Sequence, residues 1–209
     1  MDLLTEFKTQ QDTLILNGYA TIAGMMDDEF IKLLEPLKAK LDGLTLPEVD
    51  MEKGTLPFVI VVKSSLVPTD NMMSLVVRES KQGIIKLFPH TPSSFGISEG
   101  VTIPDTQVYL ITDIDRGKAT LNVRPNDALG TITAQNRSPL TIDEGVAILT
   151  HYPEFLMKNN CFSLLASRHK GDQRVPAIWI NAKKEPNLGW CWDGNPHTWL
   201  GSASCAGRI

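Results

Sequence analysis

The feature that most constrains this fold is its final segment, residues 187–209. It holds three of the four tryptophans, two of the three cysteines and one of the four histidines, together with four glycines and little charge. Terminal segments are ordinarily polar and loosely held unless something ties them down. A segment this rich in large aromatic side chains is expected to finish inside the fold or beside a site.

The rest of the chain has enough apolar content to receive it. At 209 residues, with 42% hydrophobic and 21% charged residues, the sequence supports one sizeable core and argues against disorder. We expect one domain over 1–209: a helical lead-in (1–45), then an α+β core (46–209) that includes the carboxy-terminal motif 187–209. The net charge of -4 comes with no Lys/Arg block. That speaks against nucleic acid, whose phosphates select a clustered basic surface. No apolar run approaches the roughly 20 residues that span a bilayer. Asp2 stands where a secretory signal would carry a basic residue. Three cysteines, an odd number, suit a reducing compartment. The expected location is the cytoplasm, with no membrane partner.

Hydrophobic spacing then assigns elements. Leu3, Leu4, Phe7, Gln11 and Leu14 recur at helical intervals, and Gly18 supplies a stop. Asp27, Asp28 and Glu29 open a second helix, whose stripe of Phe30, Leu33, Leu34, Leu37 and Leu41 is interrupted by Pro36. A kink or two short helices is expected there. Residues 57–62 are β-branched and almost continuously apolar, which predicts a strand buried on both faces. Weaker strands are expected over 72–77 and 83–88, and a long loop over 89–105. Residues 107–114 and 119–123 read as a hairpin turning at Asp115-Arg-Gly-Lys118. A helix follows Arg124, with Pro125 in its first turn. A second opens on the capping-box pattern Thr141-Ile-Asp-Glu144. Pro153 closes it, and 161–167 and 175–181 form a last strand pair. Helices, strands, helices and strands follow one another without βαβ alternation. This order favours α+β, with a mixed or antiparallel sheet and the tail packed on the core.

Three chemistries compete for the tail. Cys191, His197 and Cys205, with Cys161 as a fourth ligand, supply the soft donors zinc prefers, yet their spacing matches no zinc pattern, and no metal is expected. Cys191 or Cys205 as a thiolate nucleophile, with His197 as base and Asp193 as its orienting acid, would make an enzyme. Trp190, Trp192, Asn195, His197 and Trp199 offer aromatic faces and polar tips for a small ligand or a protein partner. Against all three stands a structural plug that seals the core or a dimer interface. If 189–192 is a strand, Trp190 and Trp192 share one face and Cys191 takes the other.

Elsewhere the signals are weaker. Asp113 and Asp115 resemble the start of a metal-binding or phosphotransfer loop, but the residue in the twelfth calcium-loop position is Arg124 rather than a bidentate Glu. A hairpin turn accounts for both acids. His90 and His151 are expected to satisfy local hydrogen bonds. His169, between Arg168 and Lys170, is expected in a solvated basic turn, with 168–174 an alternative anion site. No Gly-x-Ser-x-Gly elbow is present.

A set of motifs spread over nearly the whole chain carries a family resemblance. It includes Gly18-Tyr19, Phe30 to Leu37, Leu121-Asn-Val123, Pro139-Leu-Thr-Ile-Asp-Glu-Gly145, Leu149-Thr-His-Tyr-Pro-Glu154 and Arg174-Val-Pro-Ala-Ile-Trp179. It ends in Gly189-Trp-Cys-Trp192, Asn195-Pro-His-Thr-Trp-Leu-Gly201 and Ala203-Ser-Cys205. Together these resemble a family of uncharacterised bacterial proteins, a domain of unknown function. The resemblance implies a bacterial source and a single architecture and assigns no activity; separately, no cofactor is expected. Arg124 departs from it, since a capping Thr is expected there. The working expectation is a binding module that uses the Trp/Asn/His tail near the 89–105 loop, with a thiol- or metal-dependent enzyme as the alternative.

Overall fold

The computed structural model describes residues 2–209. Helix α1 (Leu3–Leu16) is capped by the Asp2 carboxylate, which accepts from the Thr5 amide at 3.0 Å, and it buries Phe7, Gln10, Gln11 and Leu14. Gly18, at φ 77°, turns the chain into the short α2 (Tyr19–Ile22). The acidic first turn of α3 (Asp27–Leu34) matches the helix dipole, and Pro36 converts its continuation into a 3₁₀ segment, Glu35–Leu41.

Strand β1 (Thr55–Val62) follows, buried from Leu56 onward. Then come α4 (Thr69–Leu75), a ribbon of β2 (Val77–Arg78) and β3 (Lys81–Gln82), and the two-residue strands β4 (Ile84–Ile85) and β5 (Gly96–Ile97). After β6 (Val108–Asp115) come α5 (Pro125–Ala134), β7 (Ser138–Pro139) and α6 (Ile142–His151). The chain closes with β8 (Cys161–Ser163), β9 (Ser167–Arg168), β10 (Arg174–Ile180), β11 (Pro186–Trp192), β12 (Leu200–Ser202) and β13 (Ser204–Arg208). The fold is α+β.

Two sheets carry the core. One is four-stranded and antiparallel, in the order β1-β6-β13-β7; the other is five-stranded and mixed, in the order β12-β8-β10-β11-β4. The tail is packed on the core by becoming part of both. It gives β11 and β12 to the five-stranded sheet, crosses at the fully buried Ala203, and threads β13 into the other sheet beside β6. Helices α1 and α6 lie against β1. The free edge of β1 is closed by a side chain: the Gln10 amide donates to the Phe58 carbonyl at 3.1 Å and accepts from the Ile60 amide at 2.9 Å. One buried glutamine thus stands in for a neighbouring strand and satisfies edge groups that would otherwise be orphaned. Among the described residues, no helix is long and apolar enough to cross a membrane.

Three expectations need correction. Residues 72–76 do not form a strand, and only Val77 enters one, β2. Pro68 and Asp70 start α4, whose turn buries Met72 and Met73 together. Residues 119–123 are not a strand either: a 3₁₀ turn at Lys118–Thr120 replaces the hairpin, and β6 pairs instead with β1 and β13. Here Asp115 accepts from the Gly117 amide at 2.6 Å, so that acid is spent on a local turn. Gly117 has φ 90°, and a Cβ on it would lie 2.3 Å from the Ser202 carbonyl oxygen, so β12 presses directly on this turn. The 161–167 strand is also shorter than expected, broken into β8 and β9 by residues 164–166.

Candidate functional site

The tail aromatics are divided by the sheet they help to build. In β11, Trp190 and Trp192 project from one face, opposite Pro176 and Arg174 in register, and Cys191 projects from the other. The two indoles meet edge to face at 5.3 Å, and the Arg174 guanidinium lies 4.6 and 4.8 Å from their ring centres. Trp190 Nε1 donates to the Phe88 carbonyl at 2.9 Å. Across the sheet, Trp179 covers Gly189 so closely that a Cβ there would lie 2.2 Å from the Trp179 ring. Trp179 touches Trp199 at 6.2 Å, and Trp199 touches His197 at 5.1 Å. Trp199 and His197 therefore cluster with Trp179, while Trp190 pairs with Trp192. Asn195 sits in the exposed turn after β11, where its amide donates to the Trp192 carbonyl at 3.1 Å.

Cys161, Cys191 and Cys205 are all buried and unpaired. Burial pushes the Cys191 thiol up to about 11 and the Cys205 thiol up to about 12, and raises Cys161 as well. A buried, protonated thiol is a poor nucleophile and a poor ligand. Asp193, offered as the orienting acid, pairs with Arg168 at 2.6 Å. Among the described residues, no three of Cys161, Cys191, His197 and Cys205 bring liganding atoms together.

A cavity of about 640 Å³ opens where β1 ends and α6 begins. Its polar wall comes from Lys63, Ser64, Ser65, Thr69 and Asp143, its apolar wall from Phe95, Ile97 and Ile103. The capping box of α6 forms as its sequence pattern implies: Thr141 Oγ1 accepts from the Glu144 amide at 3.2 Å, and Glu144 Oε2 accepts from the Thr141 amide at 2.7 Å. That leaves Asp143 facing the β1–α4 connection, where it accepts from the Ser64 amide at 2.8 Å and the Ser64 hydroxyl at 2.9 Å. Burial raises the Asp143 carboxyl above its ordinary range, against the pull of these hydrogen bonds. Lys63 donates to the Pro104 carbonyl and lies 6.0 Å from the Tyr109 ring centre.

The tail reaches this cavity from beneath. Tyr109 lines it and donates to Glu144 at 2.9 Å. Glu144 is fully buried and clasped by Arg208 at 2.6 and 2.9 Å. Arg208 also donates to Ser138 Oγ at 2.6 Å and to the Pro139 carbonyl at 2.7 Å. β13 thus anchors the helix whose first turn forms the cavity wall.

On the far side of the Phe95 wall lies a cluster that sequence spacing does not disclose. Pairing of β5 with β9 draws the 89–105 segment against the 168–173 connection. His90 and His169 lie with ring centres 4.2 Å apart, and Phe95 meets them edge-on at 5.5 and 6.2 Å. His90 Nε2 is 2.9 Å from Asp172 Oδ2, and both side chains are nearly enclosed, at 12% and 15% exposure. Asp172 also accepts from the Arg174 amide at 2.7 Å and from its guanidinium at 2.6 Å. These hydrogen bonds, the backbone one foremost, hold its carboxyl down at about 2. His90 does satisfy a hydrogen bond, as expected, though with a residue 82 positions away. His169 belongs to this cluster rather than to a solvated turn, because the β5–β9 contact folds Phe95 and His90 over it.

The chain belongs to a family of unknown function (DUF5701), which matches residues 13–209. No curated protein and no solved structure shows significant similarity to it.

Proposed function

We propose that this protein binds a small organic ligand in the cavity at the amino end of α6. The observation that carries the reading is the cavity itself: about 640 Å³, with one apolar wall and one wall of convergent hydroxyl, carboxylate and ammonium groups. Concave sites of this size with a few placed polar groups are the usual setting for small ligands. Asp143 and Asp70 offer acceptors and Lys63 a donor, while Phe95, Ile97 and Ile103 offer an apolar face. This suits a molecule with hydroxyl or amine groups on an apolar frame, and the two acids disfavour a polyanion. In this reading Trp190, Trp192, Asn195, His197 and Trp199 shape the five-stranded sheet and its edge instead of gripping the ligand. The setting we infer is a bacterial cytoplasm, whose reducing conditions suit three unpaired thiols, with no nucleic-acid partner.

A screen of fragment-sized amines and alcohols by thermal shift, followed by calorimetry, tests the proposal. Ser65 is exposed at the cavity mouth, so Ser65→Trp fills the opening without touching the core. Hits should lose at least about tenfold in affinity for this variant, the effect of a contact worth about 1.4 kcal/mol, while its melting midpoint stays unchanged. Hits that bind both proteins equally would rule the cavity out.

A further inference from the structure

The geometry points to a binding site for a divalent first-row transition cation, zinc foremost, formed by His90, His169 and Asp172. One nitrogen from each imidazole and one Asp172 oxygen lie within 4.8 Å of one another. Two imidazoles and a carboxylate are an established donor set for zinc, which three protein groups hold while leaving a coordination position open. Tetrahedral zinc with donors about 2.0 Å away separates them by roughly 3.3 Å. The His90–Asp172 contact at 2.9 Å therefore needs to open by only a few tenths of an ångström. A zinc ion there takes the place of the hydrogen between His90 Nε2 and Asp172 Oδ2, which leaves to solvent as a proton.

Two further observations support the site. His169 Nδ1 is buried without any hydrogen-bond partner, a state that buried polar groups rarely keep. The Asp172 carboxylate is already oriented from outside, by the Arg174 amide at 2.7 Å and guanidinium at 2.6 Å. Partners of this kind commonly fix metal-binding groups in place. The Arg174 charge opposes a cation, but it is also directed at the faces of Trp190 and Trp192, 4.6 and 4.8 Å away. The Trp pair of the tail thereby has a role, which is to hold the guanidinium that holds the carboxylate. The cluster lies behind the Phe95 wall and does not depend on ligand binding in the cavity.

Calorimetric titration of tag-free protein with zinc chloride, after chelator treatment and dialysis, tests this. The expected result is one equivalent bound per chain, with a raised melting midpoint. His90→Ala and His169→Ala should each weaken binding by at least about 100-fold, the upper range of what loss of even an indirect supporting group costs. Cys161→Ser and Cys191→Ser should leave it unchanged. Asp172→Asn keeps the size of the side chain and one oxygen acceptor while removing the charge, so its loss of the zinc-induced stabilisation reads the site even if a histidine variant folds poorly. No saturable one-equivalent binding, or binding that survives both histidine substitutions, overturns the proposal. Binding that disappears with a cysteine substitution also overturns it, by moving the cation to the thiols.

Discussion

Arg208→Ala is the substitution that most sharply separates a tail built into the core from one laid on its surface. The guanidinium makes four close contacts: two with Glu144 at 2.6 and 2.9 Å, one with Ser138 at 2.6 Å and one with the Pro139 carbonyl at 2.7 Å. Its side chain is 6% exposed and that of Glu144 is 0% exposed. Truncation leaves the Glu144 carboxylate without its counter-charge, held by Tyr109 and the Thr141 amide. Breaking one partner of a buried pair costs about 3–5 kcal/mol. An exposed pair such as Lys8–Asp12 contributes about 0–1 kcal/mol. Urea unfolding followed by tryptophan fluorescence should show a loss of about 3–5 kcal/mol for Arg208→Ala. The double variant Arg208→Met with Glu144→Gln should recover most of it, because removing both charges removes the uncompensated one. A loss below about 1 kcal/mol, in the range of an exposed pair, or a double variant worse than the single one, would refute the argument.

The remaining predictions concern protons, backbone and thiols. His151 Nε2 is 3.0 Å from the Ile60 carbonyl and its Nδ1 is buried without a partner, so a second proton has nowhere favourable to go. Burial holds its pKa at about 4 against 6.5. The unfolded chain therefore takes up the proton first, and His151 should cost stability progressively as pH falls from about 6.5 to about 4, by at most about 3 kcal/mol. In urea titrations across that range, His151→Phe should flatten this part of the pH dependence, and an unchanged slope would exclude His151 as its source. Gly117→Ala should destabilise far more than Gly18→Ala. Both have positive φ, but the new Cβ meets the Ser202 backbone at 2.3 Å in the first case and open space in the second. The Gly18 variant should lose about 1–2 kcal/mol by denaturation, and equal losses would contradict the close approach. Finally, an aromatic disulfide reagent at neutral pH should leave all three thiols of the folded protein unmodified and titrate three after unfolding. Rapid modification of Cys191 when folded would restore the nucleophile reading.

Local chemistry was legible and long-range pairing was not. The capping box at Thr141, the β-branched run at 57–62 and the effect of Pro36 each depend on neighbours within a few positions, and each appears where the sequence implies. Met72 and Met73 read as a weak strand, since a short apolar run carries no period of its own, whereas Pro68 with Asp70 starts a helix there. The alternation of Trp190, Cys191 and Trp192 was readable once β11 was assumed. That Trp199 packs on Trp179 instead of on them was not, because it depends on β12 joining β8. Nor does anything within the 89–105 segment announce that β5 pairs with β9. His90 therefore carries no sign of Asp172, and the cavity wall no sign of its apolar face.

The tail builds the core, and we place ligand recognition at the amino end of α6. Chemical-shift mapping with the best fragment from the screen tests it most directly, since backbone amides and the four indole N–H groups report from separate places. Shifts are expected at Ser64, Thr69, Ile142 and Asp143, with the indole signals of Trp192 and Trp199 unmoved. Shifts centred on those indoles and on His197, with the α6 amides silent, would contradict it.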